Sequence, residues 1–221
     1  MKKVLSTKKL TPPQKQAFLN AGIEVEDYDA ISVTFLDFEA PKKIENAIFT
    51  SQNAVHCLKG KHIEIQNCFC VGQKTKRALE ILDKNVVKTT KNSKELAQFI
   101  QNSFKNASFY YFSGSRRRDE IPVSFNTSEN TLFEIKTYQI ELNLKHFTEK
   151  WVGILFFSPS GVESFFEANP HAFAQYNPLA ICIGKTTASE VQKYTQHYYT
   201  ANDTSIESVI QKTIETFLIH D

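Results

Sequence analysis

Two strand-to-helix turns rich in hydroxyl groups and glycine occur twice in this chain. IFTSQNAV (48–55) returns as FFSPSGVE (156–163), and CVGQKT (70–75) returns as CIGKTT (182–187). A helix that begins after such a turn offers unpaired N–H groups and a partial positive charge, which attract carboxylate or phosphate without a basic side chain. We therefore predict that an anionic ligand is bound at Thr50, Ser51, Asn53, Gly72, Thr75, Ser158, Ser160, Gly161, Gly184, Thr186 and Thr187.

Each of these hydroxyl groups has an alternative role, because Ser and Thr also cap the helix that follows them. For a single turn, capping explains the hydroxyl as well as ligand binding does. Four turns at matching places favour binding, since paired lobes whose strand-to-helix turns face a common cleft typically hold a polar small molecule.

Arginine is scarce in this chain and clustered. Four of the 26 basic residues are Arg, and three of them form the run Arg116 to Arg118 after an SGS turn. A planar guanidinium can clamp a carboxylate, so we predict that Arg118 binds the anionic ligand, with a solvated loop as the alternative. Lys8 occupies the equivalent turn near the start of the chain and is predicted to act in the same way.

Tyr138 stands in the extended run EIKTYQIEL (134–142). A phenol with a pKa near 10 is protonated at neutral pH and can donate a proton to a leaving group. We predict a catalytic role for Tyr138 in a cleft, with aromatic packing across strands as the alternative.

Composition indicates a folded protein of one large domain or two smaller ones. The chain has 221 residues, 41% of them hydrophobic, and the repeat favours two domains. A net charge of +2 is too small to predict nucleic-acid binding. The sequence has neither a membrane-span run nor a signal-peptide pattern, and its four cysteines form no CxxC pair, so we expect a cytoplasmic protein.

Nucleotide and metal sites are not expected. The GKT segment at 184–186 resembles the end of a phosphate-binding loop, but Leu179 stands where that motif needs Gly. This argues against a phosphate-transferring enzyme. Cys70 and Cys182 are predicted core residues. The chain has six histidines, and no two of them have the spacing of metal ligands. They are His56, His62, His146, His171, His197 and His220.

Alternating strand and helix patterns predict an α/β fold with mainly parallel sheets and flanking helices. Pro12 and Pro13 suit the start of one helix, and Ser93 is a predicted N-cap of another. A short unit and a longer unit alternate as 3–38, 46–104, 108–142 and 151–219. This pattern fits either two tandem lobes or two lobes that exchange segments through the extended runs 30–38 and 134–142.

Six segments resemble the uroporphyrinogen-III synthase family in the same order over nearly the whole chain: TSQNAV, VGQKT, SGSRRRDEIP, TYQ, FFSPSGV and IGKTTA. The resemblance implies two similar α/β lobes joined by a two-stranded β-ladder, with the active site in the cleft between them. It also implies the exchanged arrangement, in which residues 1–34 and 143–221 form the first lobe and 39–136 the second. Residues 35–38 and 137–142 are then the hinge strands.

The resemblance further implies an enzyme that cyclises the linear tetrapyrrole hydroxymethylbilane to uroporphyrinogen III. Ring D is inverted through a spiro intermediate and water is released, without a metal or an organic cofactor. Tyr138 matches the family's Tyr that is proposed to assist departure of the hydroxyl group. Three lysines depart from the family pattern: Lys8 stands where the family commonly has Arg, Lys76 follows Thr75 where a small residue is usual, and Lys185 precedes the Thr pair.

The resemblance implies a monomer, and a transient contact with the enzyme that supplies hydroxymethylbilane is possible. The small net charge and the lack of a long apolar run predict no nucleic-acid or membrane partner. The alternative is a two-lobe binding protein for an acidic small molecule, which would share the hinge and the turns but perform no chemistry. Turnover of hydroxymethylbilane separates these hypotheses.

Overall fold

A computed structural model describes residues 1–218 of the chain. The chain divides into two compact units. The first unit joins Met1–Ser32 to the chain from Glu141 onward, and the second is Val33–Ile140. Residues 219–221, at the end of the predicted first lobe, lie outside the described residues. His220 is one of them.

The elements follow one another in an order of alternating strands and helices. They are β1 (Lys2–Ser6), α1 (Pro12–Asn20), β2 (Ile23–Asp27), β3 (Ile31–Phe35), β4 (Lys43–Phe49), α2 (Gln52–His56), β5 (Glu64–Val71), α3 (Gln73–Ile81), β6 (Val86–Thr90), α4 (Ser93–Ser103), β7 (Ser108–Gly114), α5 (Glu120–Phe125), β8 (Thr131–Leu142), β9 (Gly153–Phe156), α6 (Pro159–Ala168), α7 (Ala172–Tyr176), β10 (Leu179–Cys182), α8 (Lys185–Val191), β11 (Tyr198–Thr200) and α9 (Ile206–Leu218).

The first unit is built on a five-stranded sheet with the order β11-β10-β9-β1-β2. Its neighbouring strands pair in parallel. Val4 and Leu5 are both fully buried, but they belong to different apolar clusters. Successive side chains of a strand point to opposite faces, so the sheet is buried on both faces, as a parallel sheet flanked by helices requires.

The second unit contains most of a six-stranded sheet with the order β3-β8-β7-β4-β5-β6. Apart from β3, the strands of this sheet, in the spatial order β8, β7, β4, β5 and β6, each pair in parallel with the next. At the edge of this sheet β3 runs antiparallel to β8, because the Leu36 N–H donates to the Thr137 carbonyl and the Asn143 N–H donates to the Ala30 carbonyl. Ile48 and Phe49 are fully buried in different clusters, so this sheet is also covered on both faces.

The predicted α/β class with mainly parallel sheets is confirmed, whereas one predicted helix cap is wrong and three strands were not predicted. Asn92, and not Ser93, is the N-cap of α4, since its side chain accepts the Glu95 N–H at 2.9 Å. The strands β2, β6 and β11 were not predicted, because each is short and carries polar side chains. Across residues 1–218, no helix has the length and apolar character that crossing a membrane requires.

Candidate functional site

The repeated turns lie at the carboxyl ends of neighbouring parallel strands in each unit. In the second unit, β4 and β5 are paired, so the turn after Phe49 and the turn after Val71 come at the same edge of the sheet. In the first unit, β9 and β10 are paired in the same way. The carboxyl edge of a parallel sheet is where open α/β folds bind ligands.

The turn after β4 places two neighbouring hydroxyl groups in different hydrogen bonds. Ser51 is the N-cap of α2, and its Oγ accepts the Asn53 N–H at 3.2 Å. The Thr50 Oγ1 lies 2.9 Å from the hydroxyl of Tyr111. Capping therefore accounts for the Ser51 hydroxyl in part, but it does not account for Thr50.

Tyr138 lies on β8 with its phenol beside the Ser51 side chain. The residue is 7% exposed, and burial raises the pKa of Tyr138, while the Ser51 side chain opposes that shift. The phenol is therefore neutral at physiological pH and keeps the proton that a general acid needs.

The Tyr138 ring packs directly against Gly114. A Cβ added at Gly114 would overlap the Cε2 and Cζ atoms of that ring, so only glycine fits. The pairing register shifts here, with Ser113 opposite Lys136 but Gly114 opposite Tyr138. Such a bulge inserts one residue and redirects the side chain that follows, which brings the phenol onto the glycine.

The main chain around Tyr138 is held by the loop that follows Gly114. The Ser115 N–H donates to the Tyr138 carbonyl at 3.0 Å, and the Ser115 Oγ accepts the Ile140 N–H at 3.0 Å. The Cys57 thiol reaches the carbonyls of Asn53 at 3.1 Å and Thr137 at 3.0 Å, so it links α2 to β8. Burial raises the pKa of the Cys57 thiol, which keeps it protonated.

At the turn after β5, the main-chain groups are more accessible to a ligand than the Thr75 hydroxyl is. Gly72 has φ +83°, a left-handed conformation that favours glycine, and it is the N-cap of α3. Thr75, the predicted ligand residue of this turn, is only 4% exposed. Lys76 forms an ion pair with Glu80 at 3.5 Å.

The three arginines of the SGS loop differ in their surroundings. Arg117 binds Glu134 through two nitrogens, Nε at 2.6 Å and Nη2 at 2.8 Å, and it also contacts Asp119. The hydrogen bonds with Glu134 are the main cause of the raised pKa of Arg117. The Arg118 side chain is 57% exposed, with its Nη1 3.6 Å from Glu120. Arg118 is therefore more accessible to a ligand than Arg117.

In the first unit the turn after β9 is closely packed. Ser158 is the N-cap of α6, and its Oγ accepts the Gly161 N–H at 3.0 Å. A Cβ on Gly161 would lie 3.2 Å from the Ser158 Oγ and 3.6 Å from the Thr7 Oγ1. Glycine therefore lets α6 approach the end of β1. Ser160 is half-buried and Lys8 is exposed.

The turn after β10 separates two neighbouring threonines by exposure. Gly184 is the N-cap of α8 in an extended conformation, with φ −177°. Thr186 is exposed, whereas Thr187 is 3% exposed and packs inside the unit. Lys185 is exposed beside them. Thr186 therefore offers a more accessible hydroxyl than Thr187 does.

The buried cysteines are poor nucleophiles and ligands. Burial raises the pKa of both Cys68 and Cys182 to about 12. Cys70 is also fully buried, as predicted for a core residue. Within residues 1–218, no group of three or more His, Cys, Asp and Glu residues is placed to hold a metal ion.

The family model for Uroporphyrinogen-III synthase HemD matches residues 15–211. The chain belongs to the uroporphyrinogen-III synthase family. The resemblance predicted from the six segments is thereby confirmed, and with it the enzyme class, a lyase of tetrapyrrole biosynthesis that cyclises a small-molecule substrate. No curated protein sequence matches the chain.

Solved structures of uroporphyrinogen III synthases share the fold at low sequence identity. A mutant enzyme from the extreme thermophile Thermus thermophilus gives a TM-score of 0.77 at 12% identity, with 100% of both chains covered. The Helicobacter pylori enzyme gives 0.61 at 18% identity, covering 98% of this chain and 100% of its own. The wild-type Thermus enzyme gives 0.60 at 12% identity, covering 100% and 99%. Identities this low establish the fold and nothing finer.

The structure adds residues to the site that sequence reasoning missed, namely Tyr111, Cys57, Gly114 and Ser115. Tyr111 lies in the strand-like run SFYYFSGS (108–115), and the pattern of that run does not distinguish it from the apolar residues around it. A signal was present, because a tyrosine within a buried strand needs a hydrogen-bond partner for its hydroxyl. The glycine of the SGS turn was assigned to the turn alone, and not to contact with a ring.

Proposed function

We propose that this member of the uroporphyrinogen-III synthase family converts hydroxymethylbilane to uroporphyrinogen III, with Tyr138 as its acid. The observation that carries the proposal is a neutral phenol fixed between Gly114 and Ser51 at the carboxyl edge of a parallel sheet. A general acid must be both protonated and held in place, and Tyr138 meets both conditions.

The first step is loss of the hydroxyl group from ring A of the substrate. The Tyr138 phenol gives its proton to the departing oxygen, the C–O bond breaks with its electrons going to that oxygen, and water leaves. Electrons from the pyrrole nitrogen of ring A form a new C=C bond to the former hydroxymethyl carbon and give an electrophilic, positively charged azafulvenium ion. Removal of one acid of this kind typically lowers rates by about 10²- to 10⁴-fold.

The second step is attack by ring D through its already substituted carbon, which gives a spiro intermediate. The bond from this carbon to the methylene of ring C then breaks, which leaves an azafulvenium ion on ring C, and the unsubstituted α-carbon of ring D attacks that methylene, so the ring closes with ring D inverted. Loss of a proton then restores the aromatic ring and balances the proton given by Tyr138. The protein must hold the chain so that the faster, uninverted closure does not occur, which is a matter of positioning.

The carboxylates of the substrate, carried on every ring, require donors spread over a large surface. We propose that both units supply them through main-chain N–H groups, hydroxyls and cations at the repeated turns. The residues proposed are Lys8, Thr50, Ser51, Asn53, Gly72, Thr75, Arg118, Ser158, Ser160, Gly161, Gly184, Thr186 and Thr187. Thr75 and Thr187 are nearly buried, so their part is proposed to be played by the adjacent main chain.

We further propose that residues 35–38 and 137–142 act as hinge strands between lobes of residues 1–34 with 143–221 and 39–136. A hinge would admit a flexible tetrapyrrole and then enclose it. We propose a cytoplasmic enzyme, because all four cysteines are free thiols, as in a reducing compartment. We propose a monomer because the family resemblance implies one. Sedimentation at micromolar concentration tests the monomer.

Product analysis tests this function against the rival of a non-catalytic binding protein. Freshly made hydroxymethylbilane is incubated with the protein, and the oxidised products are separated by isomer type. We expect the type III isomer, while a sample without protein gives the type I isomer by spontaneous closure. Formation of the type I isomer at the protein-free rate would leave only the binding function.

A further inference from the structure

A second tyrosine lies beneath the turn that carries Ser51. Tyr111 is on β7, is 1% exposed and belongs to the apolar cluster that includes Ile48 and Phe69. Its hydroxyl lies 2.9 Å from the Oγ1 of Thr50, a half-buried residue at the carboxyl edge of the sheet. The phenol thus reaches from the core to the base of the candidate site.

The two hydroxyl groups are not equivalent as donors. A phenol is more acidic than an aliphatic hydroxyl, so it is the better hydrogen-bond donor of the pair. Burial raises the pKa of Tyr111 to about 12, so this phenol keeps its hydrogen at every pH at which the enzyme works. Either hydroxyl can donate in this pair; with Tyr111 as the donor, the Thr50 hydrogen remains for another acceptor.

We infer that Tyr111 is a positioning residue that fixes the Thr50 hydroxyl with its hydrogen available to a carboxylate of the substrate. The inference rests on the proposed function, because it assigns one donor of that site to one substrate group. Tyr111 itself does not touch the substrate. It acts by holding an Oγ1 that would otherwise rotate freely.

The neighbouring strands support this arrangement from two directions. The hydroxyl of Tyr111 on β7 lies 2.9 Å from Thr50, while the phenol of Tyr138 on β8 lies beside Ser51. The two phenols are therefore next to successive residues of one turn. The Thr50 contact is expected to serve substrate binding, and the Ser51 contact to serve the acid, so their losses should appear in different kinetic constants.

Steady-state kinetics of Tyr111→Phe tests the inference, because this change removes only the hydroxyl. We expect KM to rise by about 3- to 10-fold, the range for one lost hydrogen bond, with kcat within about twofold of wild type. Tyr110→Phe is the matched control, since Tyr110 stacks on Phe133 at 4.9 Å on the other face of β7. It should leave both constants unchanged.

A double-mutant cycle with Thr50→Val separates positioning from general packing. If Tyr111 acts through Thr50, adding Tyr111→Phe to Thr50→Val should change KM by less than about twofold. Independent, additive effects would overturn the inference. So would an unchanged KM in Tyr111→Phe accompanied by a lower melting temperature, which would make Tyr111 a packing residue.

A ring-fluorinated tyrosine at position 111 keeps the test decisive if Tyr111→Phe does not fold. Fluorination makes the phenol a stronger donor, so KM should stay the same or fall, and a raised KM would contradict the inference. The wild-type product identifies the cause of any failure. If wild type does not form the type III isomer, the proposed function is wrong; if it does and the variants behave otherwise than expected, only the role of Tyr111 is wrong.

Discussion

The turn after β4 and its counterpart after β9 share a backbone arrangement and differ in what surrounds it. Each begins with a serine N-cap, Ser51 or Ser158, whose hydroxyl accepts a main-chain N–H of its own helix. The repeat therefore preserves a helix start at the carboxyl edge of each sheet, which is the part that favours anions.

The side chains around the two turns diverge. When the N-caps Ser51 and Ser158 are aligned, a match one residue away from that of the sequence repeat, the first unit has Phe157 at the position of Thr50, and Phe157 packs against an apolar cluster. Strand pairing makes Ser6 the counterpart of Tyr111, and the Ser6 hydroxyl donates to the Lys8 carbonyl at 2.5 Å. The second unit thus adds phenols to a turn that the first unit keeps as a simple cap. Under the proposed function, both units would bind carboxylates and the second would also perform the chemistry.

Tyr138→Phe provides the strongest test of that division. Loss of the phenolic proton should lower kcat by about 10- to 1000-fold, below the upper range for a general acid because a water or substrate carboxylate can substitute. Steady-state kinetics and isomer analysis of the product measure the effect. Unchanged kcat, with Tyr110→Phe as the control, would make Tyr138 a packing residue.

Gly114→Ala should have the next largest effect. The added methyl would overlap the Tyr138 ring and must displace either that ring or β7. We expect kcat to fall by about 10-fold or more and stability by about 1–3 kcal/mol, the usual cost of overpacking. Urea denaturation and kinetics measure both, with Ser113→Ala, one residue earlier on the strand, as the control. Full activity in Gly114→Ala would show that the ring position does not matter.

These contacts also show which features a sequence can predict. The repeated turns were found because a strand, a hydroxyl or glycine, and a helix start are adjacent in the chain. The bond between Thr50 and Tyr111 joins residues 61 positions apart, and it depends on β7 lying beside β4. The contact between Gly114 and Tyr138 depends on a bulge, which shifts register by one residue without a local signature.

Arg118→Ala should mainly change KM, whereas Arg117→Ala should mainly change stability. Arg118 is accessible, so its loss should raise KM by about 3- to 30-fold with kcat nearly unchanged, as when ground-state and transition-state binding fall together. Arg117 is paired with Glu134 and Asp119, so its loss should mainly affect the loop, by up to about 1 kcal/mol of stability. Kinetics and thermal denaturation of both variants distinguish these roles. The reverse assignment would place Arg117 at the substrate.

The smallest effects should come from the threonines of the first unit, where the main chain is proposed to do most of the binding. Thr187→Val keeps the side-chain shape and removes a hydroxyl that is almost buried, and Thr186→Val removes an exposed one. We expect Thr186→Val to raise KM by about 2- to 5-fold, within the range of one hydrogen bond, Thr187→Val to change KM by less than about twofold, and both to leave kcat unchanged. Because an exposed hydroxyl reaches a ligand directly, Thr186→Val should have the larger effect on KM and Thr187→Val the larger effect on melting temperature. A fall in kcat for either variant would contradict the inferred division, since it would place part of the chemistry in the first unit.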